Sequence, residues 1–180
     1  MEPLPRQLVG REAHAVSPVR RQDGLRATVV CLTTATLLGA CSSPSAPAIT
    51  DWTQANVEYR TFVARFPYSL PNGVEFPAEL ERGDPATRYE KGWGKAMAFA
   101  FWRCAHEDVI VSAANPDAVV ADSFAQFDRA LADGEYMSRF PDDEGVFRNR
   151  ILGPARLGDT SILSELYASD CAWYRSAEGR

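Results

Sequence analysis

TRYEKGWGKAMAFAFWRCAH, residues 87–106, is apolar nearly all the way round when wound as a helix. At 100° per residue, Tyr89, Trp93, Ala96, Met97, Ala100 and Cys104 share one broad face, while Ala98, Phe99, Phe101 and Trp102 carry apolar character around the rest. A helix of this kind is packed on several sides, so Thr87 to about His106 is expected to be the central helix of a small, mainly helical bundle. Its start is interrupted by two glycines. Gly92 and Gly94 flank Trp93, and each weakens a helix by about 1 kcal/mol relative to alanine. That predicts close backbone packing at this point, or a helix that begins only after Gly94.

On the N-terminal side of this segment, Asp51 can cap a helix through about Ala64 that carries Val57, Phe62 and Val63 and ends at Phe66-Pro67. Residues 67–85 then contain Pro67, Pro71, Pro77 and Pro85 and the turn-like Pro71-Asn72-Gly73. They predict one long Pro-rich irregular loop that wraps the surface. On the C-terminal side, Asn115-Pro116-Asp117 predicts a third helix with Val120, Phe124, Phe127 and Leu131 on one narrow face and a stop at Gly134. Asp142 or Asp143 would begin a short helix through Ile151, broken at Gly153-Pro154. Asp159-Thr160 would cap a last helix carrying Leu163, Leu166 and Tyr167. No internal repeat is present. At 180 residues and 46% hydrophobic, the chain falls in the ordinary globular range, and one domain from residue 51 to 180 is the expectation.

Upstream of that domain, residues 20–41 read RRQDGLRATVVCLTTATLLGAC. Arg20, Arg21 and Arg26 form a positive flank, Ala27 to Ala40 is uncharged and mostly apolar, and Gly39 and Ala40 precede Cys41. This is the order of parts in an export signal. Wound as a helix, residues 27–40 rise roughly 21 Å, short of the ~30 Å hydrocarbon core, which favours a cleaved signal over a permanent span. Leu38-Gly39-Ala40-Cys41 resembles the lipobox of bacterial lipoproteins, with the resemblance covering only about residues 20–43. It implies that Leu38 is the aliphatic position, that the cut falls after Ala40, and that Cys41 carries the lipid as the new N-terminus. Residues 1–19 make a longer polar leader than such signals carry, which points to a start downstream of Met1. Arg20-Arg21 also suggests a twin-arginine signal, although Gln22-Asp23-Gly24 lacks the apolar residues that usually follow the pair.

The division implied is 1–40 as a removed signal peptide, 41–50 as a lipidated tether rich in serine, alanine and proline, and 51–180 as the envelope domain. Two acyl chains suffice for stable anchoring where one is marginal. Of the 19 basic and 24 acidic residues, five and three lie in residues 1–40, leaving 14 and 21 and a net charge of −7. Such a surface repels phosphate backbones and anionic headgroups, so nucleic acid is not an expected partner and membrane attachment falls to the anchor.

Of four cysteines, Cys31 lies in the signal and Cys41 at its end, which leaves Cys104 and Cys171. An exported pair without Cys-x-x-Cys spacing is expected to form a structural disulfide rather than a reactive thiol site. His106, beyond the leader the sole histidine, is expected near a helix C-terminus, where the backbone dipole favours an imidazolium. Asp142-Asp143-Glu144 lacks the alternating ligands and central glycine of a calcium loop and fits a helix start better. Glu90 falls at the edge of the apolar face beside Met97 and Phe101, and with Trp93 it marks the candidate pocket.

No nucleophile–base pair, metal set, phosphate loop or cofactor fingerprint stands in the sequence, so neither a cofactor nor a metal is expected. The leading expectation is therefore a non-enzymatic binding module on the outer face of the cell membrane, with an envelope protein, peptide or wall component as partner. The alternative is a small envelope hydrolase that pairs Glu90 with a carboxylate from the Pro-rich loop or from Asp142 to Glu144.

Overall fold

The computed structural model describes residues 49–177. In chain order the elements are β1 (Ile49–Thr50), α1 (Trp52–Val63), β2 (Tyr89–Glu90), α2 (Trp93–Val111), α3 (Asp117–Ala130) and α4 (Gly134–Met137). A π-helical turn (Phe147–Leu152) then runs into α5 (Gly153–Arg156), followed by α6 (Ser161–Asp170) and α7 (Ala172–Ala177). The mainly helical bundle expected from the sequence is present, with α2 at its centre packed by α1, α3, α6 and α7.

The central helix begins later and ends later than its apolar pattern suggested. Tyr89 and Glu90 belong to β2, which pairs antiparallel with β1 in the register Ile49 to Glu90 and Thr50 to Tyr89. The last two residues assigned to the tether are thus bonded into the domain. Gly92 takes φ 97°, a left-handed conformation that glycine adopts at no steric cost. In place of a local capping side chain, Glu58 of α1 supplies one carboxylate oxygen, which accepts from the backbone N–H of Gly92 at 3.0 Å and of Gly94 at 3.1 Å. A Cβ on Gly94 would lie 2.3 Å from the carbonyl oxygen of Ala55 and 2.5 Å from the nitrogen of Tyr59. The glycine pair thus marks the near-contact of two helix backbones. At the other end Val109, Ile110 and Val111 keep α2 going five residues past His106.

Asp51 caps α1 as expected, accepting from Gln54 N at 2.9 Å. Gly134, expected to stop α3, opens α4 instead, because Asp133 caps the new helix by accepting from Glu135 N at 2.7 Å. Gly153-Pro154 does not break the chain's helical course either. Pro154 falls in the first turn of α5, where a missing N–H costs no intrahelical bond.

The Pro-rich segment between α1 and β2 is irregular, yet it does more than cover the surface. Phe66 packs on Phe76 and Phe99, and Tyr68 on Trp102, at ring separations of 4.9, 5.3 and 5.1 Å. Its backbone also pairs polar groups of the helices. Ser69 O accepts from Trp102 Nε1 at 3.0 Å and from His106 Nε2 at 2.9 Å. Pro77 O accepts from the Tyr59 hydroxyl at 3.0 Å, and Leu80 N donates to Asn56 Oδ1 at 2.9 Å.

Cys104 and Cys171 are bonded, with their Cα atoms 5.6 Å apart and a separation of 67 positions in sequence. The bridge joins the middle of α2 to the residue immediately before α7. It sits in a satellite cluster with Phe101, Ala105, Tyr167 and Tyr174, beside the larger core built on Trp102.

Candidate functional site

Five parts of the chain surround one cavity of about 530 Å3, a size usual for pockets that hold small organic ligands. From α1 come Trp52, Ala55 and Tyr59, and α2 supplies Trp93, Met97 and Phe101. The Pro-rich loop contributes Pro77, Leu80 and a charged stretch over Glu79, Glu81 and Arg82, while Tyr89 comes from β2 and Trp173, Ser176 and Ala177 from α7.

The helical spacing explains why these side chains converge. Trp93, Met97 and Phe101 stand four residues apart and so lie one above another along α2. Trp52, Ala55 and Tyr59 line up the same way on α1, and the close approach at Gly94 holds the two rows together. Tyr89 lies tilted beside Trp93 at 5.7 Å, and Trp173 meets Phe101 at 6.2 Å. Three of the four tryptophans of the chain therefore line this one cavity.

The polar atoms of two lining rings are taken by carbonyls of the Pro-rich loop. Trp52 Nε1 donates to Glu81 O at 3.2 Å, and the Tyr59 hydroxyl is taken by Pro77 O. Burial pushes the Tyr59 phenol up to about 12, so it stays a neutral hydroxyl. The charges sit at the mouth, where Glu79, Glu81 and Arg82 are all exposed. The Arg82 guanidinium lies over the indole of Trp52, 4.6 Å from the ring centroid, a cation–π contact worth roughly 0.5–1 kcal/mol at an exposed site. The result is an aromatic floor with a mixed-charge rim.

Trp93 is part of this cavity and stands 41% exposed. Glu90 is not. It lies outside α2, on β2, with its side chain exposed and away from the cavity lining. The helical angles placed it beside Met97 only because the helix was extended back through Gly92, where the chain in fact turns. Glu79 and Glu81 are the carboxylates that do reach the cavity, and nothing in the periodicity of an irregular loop marks them.

His106 is also corrected. With α2 running on to Val111 it is interior, 1% exposed, and its Nδ1 lies 3.0 Å from Ser123 Oγ. Because Ser69 O can only accept, Nε2 carries the proton and Nδ1 accepts from the serine hydroxyl. Burial lowers its pKa, helped by Arg129 and opposed by the bond to Ser69 and by Asp122. Its burial thus favours a neutral core imidazole over the expected imidazolium.

Glu107, which the sequence did not single out, is fully buried. One oxygen accepts from Arg103 Nε at 2.7 Å and the other lies 3.3 Å from Cys171 Sγ. A disulfide sulfur has no proton to give, so a hydrogen bond there must be donated by the protonated carboxyl. Burial pushes Glu107 toward that form and Arg103 pulls it back. Cys104, Glu107 and Cys171 bring potential metal-ligand atoms within 4.8 Å of one another, but both sulfurs are used in the bridge.

Asp142 has the role expected of it. Its two oxygens accept from Phe147 N at 2.8 Å and Arg148 N at 3.1 Å, opening the π-helical turn. Cys41 lies outside the described residues, and no described helix is long and apolar enough to cross a membrane. No protein-family model, curated protein or solved structure matches this chain.

Proposed function

We propose that this chain is a bacterial envelope lipoprotein, exported through residues 1–40 and anchored by Cys41 to the outer face of the cell membrane. Its domain binds an apolar ligand in the aromatic cavity. The observation that supports binding is the union of a half-open aromatic floor with charges at the rim, since ligand pockets are mostly apolar with a few polar groups that fix orientation. The support for anchoring is Leu38-Gly39-Ala40-Cys41 at the end of an apolar run behind a positive flank.

A hydrolase built on a carboxylate pair would have to use Glu79 and Glu81 in place of Glu90. Both are exposed residues of one loop, a weaker arrangement for acid–base work than two carboxyls set across a cleft.

Two measurements test the proposal. Cys41→Ser should leave an unprocessed precursor that no longer partitions into detergent as an acylated protein; unchanged partitioning and mobility would remove the anchor. Titration of the full chain with the apolar dye 1-anilinonaphthalene-8-sulfonate should show energy transfer from indole to dye, diminished in Trp93→Ala. Saturable binding that is the same in both proteins would place the ligand elsewhere.

A further inference from the structure

We propose that the occupant of this cavity is the acyl part of a membrane lipid, taken from the bilayer on which the protein is anchored. The inference rests on the anchored, ligand-binding reading above and adds to it the class and source of the ligand.

Three observations lead there. The first is where the chain enters the domain. Thr50 pairs with Tyr89, a cavity residue, and Trp52, another, opens the helix that follows β1. The cavity is therefore built on the first residues after the tether. Ile49 stands eight positions after Cys41, a distance of at most about 28 Å even when fully extended. A lipidated Cys41 thus keeps the strand beside the cavity within about one bilayer thickness of the headgroups.

The second is what surrounds the mouth. Trp93 is 41% exposed, and the Tyr89 ring lies tilted beside it, with centroids 5.7 Å apart. Tryptophan and tyrosine favour the interface between hydrocarbon and water, where an apolar ring and a polar handle are both accommodated. Glu81 and Arg82, adjacent and of opposite sign, suit a headgroup that carries charge of its own.

The third is the floor. Met97, Phe101 and Ala55 offer no hydrogen-bonding side-chain group, and the Trp52 and Tyr59 polar atoms are already paired. A sugar or peptide pressed against Met97, Phe101 and Ala55 would leave the donors and acceptors on that side unpaired, at roughly 1–3 kcal/mol for each buried group. A hydrocarbon chain would lose nothing and would gain about 25 cal/mol for each Å2 of apolar surface removed from water.

The test uses the native lipoprotein reconstituted in vesicles of phosphatidylethanolamine and phosphatidylglycerol. A fraction of the phosphatidylglycerol carries a diazirine at the methyl end of one acyl chain. A chain that stays in the bilayer holds its methyl end near the midplane, about 15 Å from the interface, and cannot label the cavity floor. After illumination, peptide mapping should find the label on Met97 or Phe101. Ser176→Trp, which fills the cavity from an exposed position on α7, should abolish that label while the melting temperature and the disulfide are kept. Label confined to Ile49 and Trp93, or no label on protein that floats with the vesicles, overturns the inference. If the dye titration still reports the cavity, the binding reading survives and the ligand is a water-soluble one. Failure of the wild-type protein to float removes the anchor, and the inference falls with it.

Discussion

Two aromatic clusters stand side by side in this molecule, and they have opposite fates. Around Trp102, the rings of Tyr68, His106, Phe127 and Tyr136 close in at 5.0 to 5.8 Å, and the indole is 0% exposed. Around Trp93, the rings of Tyr89, Trp52, Tyr59, Phe101 and Trp173 enclose a cavity of about 530 Å3. Aromatic density is similar in both, so density alone does not make a core. The difference lies in coverage. The Pro-rich loop lays Phe66, Tyr68 and the Ser69 carbonyl over Trp102, whereas over the cavity the same loop leaves Glu79, Glu81 and Arg82 at the edge.

The largest effect expected from breaking this contrast is in the closed cluster. Trp102→Ala should destabilise the fold by about 3–5 kcal/mol, through lost burial, an unfilled cavity and the loss of one of the two hydrogen bonds to the Ser69 carbonyl. Chemical denaturation measures it, and a loss under ~1 kcal/mol would mean that the closed cluster is not the core.

Reduction of Cys104–Cys171 comes next. Opening a loop of this length should cost about 4 kcal/mol in the chain-entropy model and lower the melting temperature by on the order of 10–20 °C. The bridge precedes α7 directly, and α7 is one wall of the open cluster. Dye binding at the cavity should therefore fail at a lower temperature than the near-ultraviolet signal of Trp102. Simultaneous loss of both signals would show that the two clusters unfold as one unit.

Acid tests the closed cluster through His106. Its folded-state pKa is depressed, so its contribution to stability is fully present above the unfolded value of about 6.5 and is lost as pH falls through the folded value. Stability should decline on acidification below pH ~6.5, and the decline should be shallower in His106→Gln, which keeps a side chain able to bond Ser69 and Ser123. Parallel slopes in the two proteins would assign the acid sensitivity to other groups.

The smallest effect is expected in the open cluster. Trp93→Ala should change stability by no more than about 0.5 kcal/mol, as for other exposed sites, while weakening occupancy of the cavity. A destabilisation as large as that of Trp102→Ala would mean that Trp93 is buried in solution and the cavity closed.

Much of this architecture was legible from local patterning, because helix periodicity and caps act over a few residues. The all-round apolar stretch named the central helix, Asp51 and Asp142 announced helix starts, and Gly92 and Gly94 announced a tight contact. Elimination was enough to pair Cys104 with Cys171. Glu90 was misplaced and Glu58 passed unnoticed for one shared reason. A glycine in the left-handed region turns the chain before α2, so Glu90 leaves the helix face, and the cap comes from a residue 34 positions away.

What the sequence determined alone is thus the mainly helical class, the central position of α2 and the cysteine pair, all of which follow from spacing along the chain. Tertiary structure decided which aromatic residues are sealed and which line a cavity. That choice depends on where an irregular loop puts its carbonyls and rings. Trp52, Tyr89, Trp93 and Trp173, spread over some 120 residues, meet only once α1, β2, α2 and α7 are packed. It also biased the charge of His106, because an exposed helix end favours the imidazolium whereas burial between Ser69 and Ser123 favours the neutral ring.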